Sequence, residues 1–416
     1  MTNEQKNVPE LRFPEFDGEW EEKKLGSIAC FSKGKLGSKK DISQNGIPFI
    51  LYGELYTKYN AIIEKVYSKI AIDKNNLKVA SKNEVLIPSS GETSIDIATA
   101  SCIDINEEVA IGGDINILTP KNVDGRFISL SLNGVNKVEL SKYAQGKTVV
   151  HLYNNDIKKL KLSLPINFEE QQKIGDFFSK LDRQIELEEK KLELLEQQKK
   201  GYMQKIFSQE LRFKDEKGNE YPEWKDETLS NLGKTYTGLS GKSKEDFGSG
   251  NGEFITYMNV FKNNIANTDI VEKVNISATE KQNKVEYGDI LFTSSSEVPQ
   301  EVGMSSIWLS NKDNIYLNSF CFGFRVTTNC IDEIYLARFL RSEKMRKLIT
   351  ILAQGSTRFN ISKKEIMKLN IDIPTIKEQQ IIIKFLGNFD KIINIQSDKI
   401  KKLKQRKNGL LQNMFM

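Results

Sequence analysis

The stretch AQGKTVVHLYNNDIKKLKLSLP (144–165) returns later in the chain as AQGSTRFNISKKEIMKLNIDIP (353–374). At a constant offset of 209, eight of the 22 positions are identical and both copies end in proline. Repetition on this scale makes the chain two copies of one unit. It also decides how Gly146-Lys147-Thr148 is read. A phosphate-binding P-loop needs G-x-x-x-x-G-K-[S/T], so that backbone N–H groups wrap a phosphate. The upstream glycine would fall on position 141, which holds Ser141, and no helix pattern follows. The twin has Ser356 where the first copy has Lys147. What the copies share is Ala-Gln-Gly-x-Thr, and a nucleotide-binding enzyme is set aside.

Outward from this pair, the repeat continues. FEEQQKIGDFFSKLD (168–182) lies against IKEQQIIIKFLGNFD (376–390) at offset 208, and KKGYMQKIF (199–207) lies against KNGLLQNMF (407–415). The openings match as ELRFPEFDGEWEEKKLGSIA (10–29) and ELRFKDEKGNEYPEWKDETLSNLG (210–233). The middles keep only landmarks. PFILYGEL (48–55) matches EFITYMNV (253–260), and NEVLIPSS (83–90) matches GDILFTSS (288–295).

Each proline is followed by about 40 residues without another, which can run as one helix. Positions 174, 178, 181, 185, 188, 192, 195, 199, 202 and 206 alternate steps of four and three. They carry apolar residues, Leu181, Ile185, Leu192 and Leu195 among them, broken by Glu188 and Lys199. Adding 208 gives the same seam, with Phe389, Ile393, Ile400 and Leu403, broken by Gln396 and Lys407. This is a coiled-coil heptad pattern, twice. A helix of this length spans about 60 Å and must bury its stripe, most simply against its twin. With one unit before the first helix and the other between the helices, an antiparallel pair with a pseudo-two-fold is expected. Full overlap makes Glu188 meet Gln396 as a polar layer. A shifted register would face Glu188 with Lys407, and burial favours the first.

Between these landmarks, short apolar runs such as Val85-Leu86-Ile87, Ile290-Leu291-Phe292 and CFGFRV (321–326) read as strands, with Gly, Asn and Ser clusters between them. DEIYLARFLRSEKMRKLITILA (332–353) reads as a helix. The fold class is therefore α+β: two β-rich domains joined by two long helices. Domain bounds are 8–165 and 208–374, with helices over 166–207 and 375–416.

Composition narrows the chemistry. One histidine, His151, would have to carry every Ser-His-Asp, Cys-His or histidine–metal mechanism, and it aligns with Asn360. It is read as a surface or packing residue. The four cysteines form no C-x-x-C pair and read as reduced thiols. No apolar run approaches a membrane span, and no signal peptide opens the chain. No catalytic centre and no metal site emerge, and a cytoplasmic protein is expected.

Binding remains. The net charge of +5 is compatible with nucleic acid. Basic loops interleaved with Ser, Asn and Gly recur: SKGKLGSKK (32–40), GLSGKSKEDFGSGNG (238–252) and AQGSTR (353–358). Cationic side chains neutralise phosphate, and short hydroxyl and amide groups reach phosphates and base edges. The candidate DNA contacts in the first unit are Lys33, Lys35, Lys39, Lys40, Tyr52, Ser89, Ser90, Gly146, Lys147 and Thr148. Those in the second are Lys242, Lys244, Tyr257, Asn259, Ser294, Ser295, Gly355, Ser356, Thr357 and Arg358. Gly146, Thr148, Gly355 and Thr357 are expected near the DNA backbone. A coiled-coil scaffold joining two protein-binding domains is the alternative that explains the same repeat.

The combination of LRFPEFDGEW, the paired AQG[K/S]T…LP endings, and EEQQKI and KEQQII at the helix starts resembles the DNA-specificity subunit of type I restriction–modification systems, over about residues 8–416. The resemblance implies two target-recognition domains, each reading half of a split site in the major groove of double-stranded DNA. The antiparallel helices would act as a molecular ruler. It implies no enzyme activity and no cofactor on this chain. Two modification (methyltransferase) subunits would bind S-adenosylmethionine and methylate a flipped adenine. Two restriction (endonuclease) subunits would add ATP- and Mg-dependent translocation and cleavage.

Overall fold

The beginning and end of each repeat meet as a two-stranded ribbon. In the computed structural model, which describes residues 7–416, Glu21–Lys24 pairs antiparallel with Lys161–Leu164. In the second repeat Lys225–Thr228 pairs antiparallel with Asn370–Ile373. Leu162, Leu164, Ile371 and Ile373 point inward and their neighbours outward, the period of two that a half-buried strand requires. Each ribbon ends at the proline that precedes a long helix.

The chain divides into two compact units. One comprises residues up to Lys191 together with Gln396–Met416, the other Leu192–Ile395. The first contains two five-stranded sheets. One runs in the order Ala29–Lys33, Ile115–Pro120, Val85–Pro88, Ser101–Ile103, Ile62–Ile63. The other runs Ile42–Ser43, Ser68–Ile70, Ile47–Ile50, Val109–Ile111, Lys78–Ala80. Val85, Leu86 and Ile87 are all fully buried, which is why that strand reads as a continuous apolar run rather than an alternating one. The second unit has a four-stranded antiparallel sheet, Gly233–Thr237, Cys321–Val326, Ile290–Thr293, Ser305–Ile307. Beside it is a three-stranded sheet, Val271–Val274, Phe247–Ile255, Ile315–Leu317. Residues 332–353 form two helices rather than the single one expected, Glu333–Leu340 and Glu343–Ile351. Ser342 turns the chain between them, because its hydroxyl accepts from the Met345 amide as an N-cap.

The motifs that opened and closed the repeats find each other at the helix starts. Arg12 grips Glu170 in a fork, Nε to Oε1 and Nη2 to Oε2, both 2.7 Å, and Trp20 Nε1 donates to the same carboxylate at 3.4 Å. In the other unit Arg212 grips Glu378 at 3.0 and 2.9 Å, and Trp224 Nε1 donates at 3.1 Å. Both glutamates are fully buried. The next residue locks a second element. Gln171 accepts from the Asp124 amide and donates to the Pro165 carbonyl. Gln379 does the same with Asp332 and Pro374. Asp124 and Asp332 in turn cap the helices Gly125–Asn133 and Glu333–Leu340. Glu-Gln thus fastens each long helix to its own domain.

The long helices are Phe168–Phe207 and Ile376–Asn413. Within the first unit Lys407 bonds Asp182, Lys404 bonds Glu189, and Gln396 Nε2 donates to Glu188 Oε2 at 2.7 Å. Residue numbers run in opposite directions, so the helices are antiparallel, and Glu188 meets Gln396 as full overlap requires. Within the second unit Lys199 bonds Asp390 at 2.5 Å and Tyr202 packs on Phe385 and Phe389. Of the seam residues, Leu181, Ile185 and Ile400 are buried, while Leu192, Leu195, Phe389, Ile393 and Leu403 are half-buried. The two lysines that interrupt the seam each find an aspartate at the equivalent position, 182 and 390.

Candidate nucleic-acid interface

The Ala-Gln-Gly-x-Thr loop is a closed hairpin in both units. Gln145 N donates to His151 O at 2.9 Å and His151 N returns to Gln145 O at 2.8 Å. Gln354 and Asn360 exchange the same two bonds at 2.9 and 2.8 Å. The glycine turns the corner at φ 128 in one copy and 134 in the other. A Cβ there would lie 2.1 Å from the carbonyl oxygen of Val149 or Arg358, so only glycine closes this loop. Glycine, the x position and threonine, 146–148 and 355–357, are exposed at the tip.

The Ser-Ser landmark holds the hairpin from below. The first serine acts through its backbone, with Ser89 O accepting from Leu152 N and Ser294 O from Ile361 N. The second serine pairs in a strand with the hairpin, Ser90 with His151 and Ser295 with Asn360. Its hydroxyl then meets a loop side chain. Ser90 Oγ lies 3.3 Å from His151 Nδ1, and Ser295 Oγ accepts from Arg358 Nε at 3.2 Å. The sequence-predicted residues Ser89, Ser90 and 146–148 thus come together, as do Ser294, Ser295 and 355–358. Tyr257 joins the second group by donating from its hydroxyl to Ser295 O at 2.6 Å. Burial pushes the Tyr257 phenol up, so it stays a donor. A cleft of about 440 Å³ lined by Leu239, Ser240, Ser294, Ser319, Ser362 and Lys363 brings the loop 238–243 beside this group.

The other basic positions stand in separate turns. Lys39 and Lys40 are exposed in the turn Lys39–Asp41, capped by Ser38 against Asp41. Lys244 opens the turn Lys244–Asp246, capped by Ser243 against Asp246 in the same way. Lys33, Lys35 and Tyr52 are exposed. Four side chains assigned to DNA contact are already committed or enclosed, among them Ser295, which is buried with its hydroxyl on Arg358. The Lys242 side chain is 4% exposed and bonded to Glu280 at 2.6 Å. Asn259 is buried, its amide tied to the carbonyls of Asn267 and Ile270. The Ser89 hydroxyl is enclosed, so that residue acts through its backbone.

Sequence reasoning read His151 as a surface or packing residue and passed over Tyr153 and Phe320. His151 stacks on Tyr153 with centroids 6.1 Å apart, and Arg358 lies over the Phe320 ring at 5.3 Å. The signal for His151 was its place in the repeated loop. Phe320 follows no landmark and is fixed only by the fold, through Ser294 N to Phe320 O at 2.9 Å.

The sequence profile described as the type I restriction modification DNA specificity domain matches this chain twice, over residues 17–197 and 221–405. The chain belongs to this family. Among relatives in the specificity-subunit family, it is 23% identical over 425 residues to the type I restriction enzyme MjaVIII specificity subunit of Methanocaldococcus jannaschii, covering 98% of this chain and 94% of that protein. Two solved structures share its fold. One is the S subunit of a type I restriction–modification system from M. genitalium (TM-score 0.55, 16% identity, 98% of this chain and 99% of that chain). The other is a chain from work on complex assembly and conformational transition of the type I R-M system (TM-score 0.59, 14% identity, 95% and 97%). No helix among the described residues is long and apolar enough to cross a membrane.

Proposed function

We propose that this chain is the non-catalytic subunit that reads a bipartite double-stranded DNA site and directs modification and restriction subunits to it. The observation that carries the reading is the duplication. Two copies of a specificity domain each present an exposed hairpin of one backbone geometry with different side chains. Gly146, Lys147, Thr148, Gly355, Ser356, Thr357 and Arg358 would approach DNA, helped by Lys33, Lys35, Lys39, Lys40, Tyr52 and Lys244. Tyr257, Ser90, Ser294 and Ser295 would hold those loops in place. S-adenosylmethionine, ATP and Mg would be bound by the partners, two modification and two restriction subunits, in the cytoplasm. The long helices set the gap between half-sites.

The test is a length change. Inserting one heptad into each long helix at matching seam positions adds about 10 Å, or about three base pairs at 3.4 Å each. Adenine methylation, mapped in cells carrying the chain with its modification subunit, should then show the same two half-sites with a longer gap. An unchanged gap would contradict the ruler.

A further inference from the structure

We infer that Arg358 reads a guanine in the half-site of the second unit, through a two-pronged contact to its O6 and N7 in the major groove. The inference rests on the DNA-reading function proposed above. Its basis is how this guanidinium is held. Arg358 is exposed at the hairpin tip and forms no ion pair among the described residues. Yet it is fixed from two sides. Nε donates to Ser295 Oγ at 3.2 Å, and the Phe320 ring lies 5.3 Å below the guanidinium carbon. Both supports are themselves anchored. Tyr257 OH donates to Ser295 O at 2.6 Å, and Phe320 O accepts from Ser294 N at 2.9 Å. With Nε occupied, the free edge is the Nη1–Nη2 fork, which has no partner among the described residues. A planar fork held in place in advance loses little freedom on binding, and matches the two acceptors that guanine offers in the major groove.

Phosphate also accepts a fork, and the duplication decides between the two. The sugar-phosphate backbone is chemically the same in both half-sites, so contacts to it belong to what both hairpins share, Gly-x-Thr. Bases differ between half-sites, so base reading belongs to what the hairpins do not share. At the position of Arg358 the first unit has Val149, also exposed, which offers no hydrogen bond. There the side chain that meets the serine is His151, on Ser90. Arg358 is therefore a specificity residue of one half-site alone.

The experiment maps adenine methylation genome-wide in cells expressing the modification subunit with the wild-type chain, Arg358→Gln, Arg358→Lys or Phe320→Ala. For the wild type, one half-site should contain a guanine that the variants cease to require. Arg358→Gln should lower discrimination at that one position on the order of 10- to 100-fold, leaving the other half-site intact. Arg358→Lys keeps the charge and loses the fork, so it should relax the same position. Phe320→Ala should relax it less. Thermal unfolding of the purified variants checks that they fold, and the lysine variant serves if the glutamine variant does not. Methylation weakened evenly over an unchanged motif would identify a phosphate contact and overturn the inference. An unchanged motif at unchanged strength would also overturn it. Either result leaves the function itself standing. A wild-type chain that directs no split motif would instead remove the function, and this inference with it.

Discussion

The hairpins AQGKTVVH and AQGSTRFN have the same backbone, share an exposed glutamine and threonine, and differ at their other outward side chains. The paired bonds of 2.8 and 2.9 Å between the glutamine and the last hairpin residue and a glycine at φ 128 or 134 recur, while Lys147, Val149 and His151 become Ser356, Arg358 and Asn360. The helix starts show the opposite balance. There the side chains themselves recur, Arg-Trp-Glu-Gln in both units, with the arginine forks matching atom for atom and each tryptophan donating to the same glutamate. The difference teaches where each copy was free to vary. A buried ion pair fails if one partner changes, whereas an exposed loop tip needs only its backbone path.

The first way to break this comparison is at the anchors. Glu170→Gln and Glu378→Gln should each leave an arginine facing an uncharged, buried partner. Each should cost about 3 kcal/mol in the unfolding of its own unit, measured by denaturant titration. Nearly equal losses are expected, and a large loss in one unit with none in the other would end the equivalence. Next come the hairpin glycines. Gly146→Ala and Gly355→Ala combine positive φ with a Cβ 2.1 Å from a backbone oxygen. Each should cost about 1–3 kcal/mol of local stability, seen as faster amide exchange at His151 and Asn360.

The seam aspartates sharpen the comparison through pH. Among the described residues Asp390 holds two cations, Lys199 and Arg338, whereas Asp182 holds only Lys407. Burial pushes the Asp182 carboxyl above the ordinary aspartate range, against the pull of Lys407. Its folded pKa exceeds its unfolded one, so the folded state binds the proton more tightly. Its stabilising contribution is then full below the ordinary aspartate value, about 3.9, and is lost as pH rises through the raised one. Subtracting the stability of Asp182→Asn from that of the wild type should give a difference that falls with pH over that window. A difference that rises would reverse the assignment. The smallest effect is expected at Lys404→Ala. Its pairing with Glu189 is half-exposed on both sides, so the change in stability should be about 0–1 kcal/mol.

Much of this fold was legible in the sequence for a physical reason. Heptads repeat locally, so the helices follow from spacing, their antiparallel course from the order of units and helices along the chain, and the Glu188–Gln396 layer from the register that buries most of the seam. The site was legible only in part. Gly-x-Thr and Ser-Ser stood out because they recur. What the copies bury did not, because burial of Lys242 and Asn259 depends on strands that pair across tens of residues. Arg12 and Glu170 each stand in a repeated motif, yet their bond spans 158 positions and leaves no periodicity. The break at Ser342 was a cap hidden inside an otherwise helical run.

The central claim is that each unit reads its own half-site. The most direct measurement exchanges residues 10–165 for the corresponding domain of a relative with a different motif, and maps adenine methylation with the modification subunit present. The account predicts one half-site replaced, the other unchanged and the gap between them preserved. A motif altered in both halves, or in neither, would contradict it.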